Sequence, residues 1–171
     1  GESRLALGAM KELALSLGLT PGNKRVTTEV ERCSAAFYRG FLRGFFDADG
    51  SVQGNQTKGV SIRLTQVSED NLHAVQRMLL RLGIASKIYR NRRPGGPRLL
   101  PDGRGGKREY TTQALHELVV AGENVARFAE LIGFADTEKS DRLRSLLSAY
   151  RRAVNQDGFV ATGAALEPDG G

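Results

Sequence analysis

Phe41-Leu42-Arg43-Gly44-Phe45-Phe46-Asp47-Ala48-Asp49-Gly50 is the segment from which the rest of the chain can be placed. Phe37, Phe41, Leu42, Phe45 and Phe46 recur at helical spacing, which predicts a well-buried helix over residues 35–48 with Ser34 as its N-cap. Gly40 and Gly44 lie four apart on that helix. Glycine inside a helix costs up to about 1 kcal/mol relative to alanine, so two on one face predict the close approach of another backbone. The helix ends on Asp47 and Asp49, where its dipole disfavours anions by about 0.3–1 kcal/mol each. Charge placed against the dipole predicts a cation nearby, most simply a divalent metal. An EF-hand loop is excluded by spacing: counted from Asp47, its Gly and Glu positions hold Val52 and Lys58.

After Gly50 the apolar period changes from helical to alternating. Ser51 to Gln56 and Gly59 to Gln66 read as an antiparallel pair, with Val60, Ile62 and Leu64 on one face and Ser61, Arg63 and Thr65 on the other. That second face carries one cation and no carboxylate. Gln66 shares the parity of the apolar residues and points towards the motif helix, unless it caps the turn at Ser68. Ser68 caps the next helix, Leu72, Val75, Leu79 and Leu82 form its apolar stripe, and Gly83 closes it. A strand near Ser86–Asn91, a basic loop, a strand from about Glu109 to Val120 and helices over Glu123–Ile132 and about Lys139–Ala153 follow. Ahead of the motif come an amphipathic helix from Leu5 to Leu17 stopped by Gly18, a turn at Thr20-Pro21-Gly22-Asn23, and a short helical segment over Thr28–Arg32. The order from residue 35 is αββαββα with one further helix. This is an α+β domain whose four-stranded antiparallel sheet has helices on one face, leaving the other free for a partner.

The chain has 171 residues and a net charge of +6, and the charge is concentrated. Between Lys87 and Arg108 eight basic residues stand against one acid, so the remainder is close to neutral. Five Gly and three Pro share that window, which rules out a helix or an inner strand there. It reads either as a solvated connector or as a phosphate-gripping arm whose binding is salt-dependent. One cysteine, Cys33, excludes a disulfide framework and a four-cysteine zinc site, which points to a cytoplasmic setting. No apolar run approaches the ~18 residues of a membrane span, and nothing at the N-terminus reads as a signal peptide. A first residue of Gly suggests a processed product or a fragment. His73 and His116 lack ligand spacing and read as structural.

Leu42 to Gly50 resembles the LAGLIDADG signature, and the hairpin and helix after it follow in that family's order. The resemblance covers about Ser34 to Tyr150 and implies a LAGLIDADG endonuclease-like half. It implies that Asp49 binds catalytic Mg²⁺ or another divalent metal, with Asp47 capping the helix end and holding a secondary claim on the ion. Gln66 stands where the family keeps a group that orders water or metal. Lys139, dipole-disfavoured at a helix start, matches the family's basic residue near the scissile phosphate. The resemblance further implies double-stranded DNA as partner. Ser51, Gln53, Asn55, Ser61, Arg63, Thr65, Lys87 and Tyr89 would read base edges, and Arg90, Arg92 and Arg93 would grip phosphates.

Leu15 to Arg39 resembles the lead-in to the second LAGLIDADG half of bacterial inteins. Gly158 to Thr162 and Glu167 to Gly170 resemble the return to a splicing segment. The division implied is a helical lead-in over 1–33, an endonuclease domain over 34–153 and a tail over 154–171. The terminal His-Asn that splicing needs is absent, so the chain is not expected to splice alone. One motif supplies one metal-binding acid, so cutting both strands needs a second LAGLIDADG half, as a homodimer or as a missing N-terminal half. The alternative is a catalytically inactive nucleic-acid-binding module on the same scaffold; the presence of Asp49 favours the enzyme.

Overall fold

The structure is a computed structural model and describes residues 8–20, 25–55, 59–101, 103 and 105–156. Helix α1 spans Gly8–Ser16, and α2 spans Thr28–Glu31, where the Thr27 hydroxyl accepts from Val30 N–H. The expected helix start at Leu5, most of the turn expected after Thr20, residues 56–58 between the two paired strands and the tail from 157 lie outside the described residues. Gly18 does follow the first helix, at φ +72°.

Ser34 accepts from Phe37 N–H and opens α3, Ala35–Asp49. The helix passes without a loop into β1, Gly50–Asn55, and only glycine fits at the junction: a Cβ on Gly50 would lie 2.5 Å from the Phe46 carbonyl oxygen. Strand β1 pairs antiparallel with β2, Gly59–Gln66, in the register Ser51↔Arg63 and Gln53↔Ser61. Directly opposed residues share a face, so Val52, Val60, Ile62 and Leu64 turn inward as a set. Ser68 accepts from Asn71 N–H to start α4, Glu69–Arg81, whose first-turn acids suit its positive end.

Strand β3 spans Lys87–Arg93. The basic segment after it was expected to be irregular, and here the structure corrects the sequence. Strands β4, Gly96–Pro101, and β5, Lys107–Thr112, form a separate antiparallel ribbon. The single strand expected over 109–120 is accordingly two, since the chain leaves the ribbon at Thr112 and enters the main sheet as β6, Leu115–Ala121. Both ribbon strands are edges, where Pro97 and Pro101 cost no ladder bond that an inner strand would need. Gly95 marks the crossing, because a Cβ there would lie 2.7 Å from Thr112 O and Ala114 N.

The main sheet has the order β1-β2-β6-β3, antiparallel throughout. Helix α5, Glu123–Leu131, and α6, Thr137–Gln156, complete the inner layer with α3 and α4. Leu42, Phe46, Ile62, Leu64, Leu72, Met78, Leu118 and Phe128 are fully buried between sheet and helices, each worth about 1.5–3 kcal/mol of transfer free energy. The fold is α+β, as expected. No helix among the described residues is long and apolar enough to cross a membrane.

Helix α3 buries less than its phenylalanines suggest. Tyr38, Leu42 and Phe46 are its core face, while Phe37, Phe41 and Phe45 stack along its flank, half-buried, with ring centroids 5.8 and 5.9 Å apart. A Cβ built on Gly40 or Gly44 meets nothing within 4 Å. The close backbone approach that the two glycines predict is therefore not made among the described residues.

Candidate functional site

Asp49 ends α3 with an exposed carboxylate. Gln66 Nε2 donates to its Oδ2 at 2.7 Å, reaching it because Gln66 continues the inward parity of Ile62 and Leu64 to the end of β2. Among the described residues Asp49 has no cationic partner and its other oxygen is open. No trio of His, Cys, Asp or Glu able to hold a metal by itself forms among the described residues.

Asp47, two residues earlier, is occupied by protein. Its carboxylate accepts from Ala135 N–H at 3.1 and 3.2 Å and from Asp136 N–H at 3.1 Å, at the positive end of α6. The Lys139 ammonium donates to the main-chain oxygens of Asp47 and, at 3.4 Å, of Phe46. Asp136 in turn accepts from Lys139 N–H at 2.8 Å. The charge of Asp47 is thus balanced by a helix start and a lysine, and the carboxylate buttresses the end of α3 as its expected capping role requires. Of the two acids in the last turn of α3, Asp49 is the one that no helix start or cation offsets among the described residues.

The open face of the sheet is built by register. Across it run Ser51, Arg63, Val119 and Lys87 in one row, and Thr65, Glu117 and Tyr89 in the next. Gln53 and Ser61 pair on the same face, and Asn55 extends it at the end of β1. Between Tyr89 and Arg93 the β3 register shifts, with Asn91 at φ +49°, and this bulge brings Arg92 over the Tyr89 ring at 5.5 Å while Lys87 lies over the same ring at 5.1 Å. Arg93 sits at the root of the ribbon, paired in register with Leu115.

One residue departs from its expected place, and a second on the sheet was not foreseen. Arg90 has the parity of inward-facing Ile88 and is tied to Glu69 of α4, behind the open face. Glu117, which the alternation on β2 gave no way to foresee, stands at the middle of that face; its Oε2 accepts from Arg63 at 3.0 Å and lies 3.4 Å from Arg92 Nε. The face therefore does carry a carboxylate. Its position depends on which strand neighbours β2, a long-range fact that no local pattern encodes.

Glu69 gathers the two histidines: His73 Nε2 lies at 3.1 Å and His116 Nδ1 at 3.9 Å. Hydrogen bonds from His73 and then Arg90 hold its carboxyl below the ordinary carboxylate range. Both histidines serve this joint between α4 and the sheet.

A helix of glycines and phenylalanines ending in an exposed acid, followed by a twisted hairpin and a polar sheet face, defines a class. The LAGLIDADG-like domain family matches residues 36–133, and the chain belongs to it. It is 31% identical over 134 residues to the alpha subunit of a ribonucleoside-diphosphate reductase of Bacillus subtilis, covering 76% of this chain and 12% of that protein. It is 35% identical over 114 residues to a probable translation initiation factor of Thermococcus kodakarensis, covering 66% and 8%. It is 31% identical over 139 residues to a DNA polymerase of Thermococcus litoralis, covering 81% and 7%. The chain spans about a tenth of the length of these relatives.

Proposed function

We propose that the chain is one half of an intein-derived homing endonuclease, a metal-dependent enzyme that cuts double-stranded DNA at a specific site once a second LAGLIDADG half completes it. The observation that carries this reading is the pairing of an exposed Asp49, without a cationic partner among the described residues, with a glycine face on the same helix that those residues leave open. A second half docked on Gly40 and Gly44 brings a second acid beside Asp49, and the polar sheet face extends from there. The relatives support the intein origin: a reductase, an initiation factor and a polymerase share no activity, yet each matches this chain over a small fraction of its length. An inserted, mobile element explains that distribution.

Asp49 is the residue to hold a divalent ion. The donor set suits a hard cation such as Mg²⁺, which takes one or two carboxylates plus substrate phosphate oxygens. Such an ion supplies an activated water and neutralises charge developing on the phosphate. Gln66 fixes the rotation of the Asp49 carboxylate through its Oδ2 bond. Lys139 acts at the same end by holding the last carbonyls of α3, and its charge adds to the potential felt by a bound phosphate. Ser51, Gln53, Ser61, Arg63, Thr65, Lys87, Tyr89 and Arg92 form the DNA face, and Arg93 and the ribbon extend it.

The test is cleavage of an allele of the host gene that lacks the insertion, across Mg²⁺, Mn²⁺ and Ca²⁺, with the chain alone and with a candidate N-terminal half. Cutting by the paired halves supports the proposal. Tight binding without cutting under every condition favours the inactive nucleic-acid-binding module, a reading that the single acid per chain keeps open.

A further inference from the structure

A carboxylate at the centre of a surface meant for a polyanion calls for a reason. Glu117 is only 8% exposed and has been brought between two guanidinium groups on two other strands, Arg63 of β2 and Arg92 of the β3 bulge. The Arg63 hydrogen bond and the Arg92 ion pair both use Oε2; Oε1 has no partner among the described residues. Without this carboxylate, Arg63 would be a free cation in the middle of the face, able to take any phosphate. With it, the charge of Arg63 is cancelled and its planar fork is held in one orientation. Nearby Lys87 and Arg92 rest on the Tyr89 ring, so cations on this part of the face are oriented as well as concentrated.

We propose that Glu117 is a specificity-determining residue of the nucleic-acid face: it weakens indiscriminate phosphate contact and leaves an acceptor for an exocyclic base amine, while presenting Arg63 and Arg92 in fixed geometry to neighbouring base edges. The amine donors available in the major groove are cytosine N4 and adenine N6. This rests on the DNA-binding part of the proposed function and adds to it a rule for how binding is made selective.

The experiment compares the full chain with Glu117→Gln on two probes, a pool of random-sequence duplexes and the duplexes enriched from that pool by the unsubstituted protein. Glu117→Gln is expected to bind the random pool several-fold more tightly, with a salt dependence steeper by up to about one phosphate contact, and to lose about tenfold of its preference for the enriched sequences. In an Arg63→Gln background the gain on the random pool should shrink, because Arg92 is then the one neighbouring guanidinium that the substitution releases. Exposed Arg92 offers a second route should Glu117→Gln not fold: Arg92→Gln is expected to lower affinity for enriched duplexes more than for random ones. Unchanged salt slope and preference in a folded Glu117→Gln protein, or equal losses on both pools in Arg92→Gln, overturn the inference while DNA binding stands. Absence of any binding by the unsubstituted chain at low salt removes DNA binding and this inference together.

Discussion

Asp47 and Lys139 hold each other's helices: the Asp47 carboxylate accepts two backbone N–H groups at the start of α6, and the Lys139 ammonium, from the first turn of α6, donates to the main-chain oxygen of Asp47. Each charge sits at a helix end that its own helix disfavours and the facing helix favours. The foot of α3 is thereby fixed against α6. Asp47→Ala should cost about 0.5–2 kcal/mol, the range of a lost helix-cap carboxylate, read as a shift in urea midpoint. Lys139→Met should be additionally destabilising, and a double-mutant cycle should give a coupling of about 0.5 kcal/mol or more. Strict additivity would show that the two ends are held independently.

Asp49 and Gln66 separate chemistry from positioning. Asp49→Asn keeps the shape and the Gln66 contact within reach, and is expected to abolish strand cutting while leaving DNA affinity within a few-fold. Gln66→Ala leaves the acid in place but free to rotate; partial loss of cleavage, about 10- to 100-fold, is the expected reading for a group that orients a metal ligand. Equal cleavage by Asp49→Asn and the unsubstituted chain would remove Asp49 from the reaction.

The parts of this fold that local pattern determines were legible: the Ser34 and Ser68 caps, the alternation of Val60, Ile62 and Leu64, and the inward aim of Gln66 at the motif helix each follow from a few neighbouring residues. The ribbon was hidden because its Pro and Gly exclude an inner strand without excluding a pair of edges. Glu117 was hidden for a different reason, since its face depends on β6 lying between β2 and β3. The phenylalanines on α3 read as burial, whereas three of the four, Phe37, Phe41 and Phe45, line a flank that the described residues leave half-covered.

The Arg77–Glu31 pair joins α4 to α2 through two bonds of 2.6 and 2.7 Å, and the Arg77 hydrogen bond holds the Glu31 carboxyl below its ordinary value near 4.5. A carboxyl whose folded pKa is lowered contributes stability that is fully present above the unfolded value and lost as pH falls through the folded one. Glu31→Gln should therefore lower the denaturation midpoint at neutral pH. The gap to the unsubstituted protein should close as the pH falls through the acid range below both values. A gap of constant size across that range would mean that Glu31 acts by packing.

Gly44 distinguishes the isolated chain from the paired one. In this chain a Cβ at position 44 meets open space, so Gly44→Ala should raise the thermal stability of the monomer by up to about 1 kcal/mol through helix propensity alone. Gly40→Ala should do the same. If the face between Phe37 and Ala48 receives the motif helix of a second half, however, added side chains hold the two backbones apart. The same substitutions should then weaken self-association or pairing about tenfold or more and reduce cutting with it, measured by sedimentation at several concentrations. Stabilisation without any effect on association or cleavage would mean that the two halves meet elsewhere, and Asp49 would lose the neighbouring acid on which the proposed reaction depends.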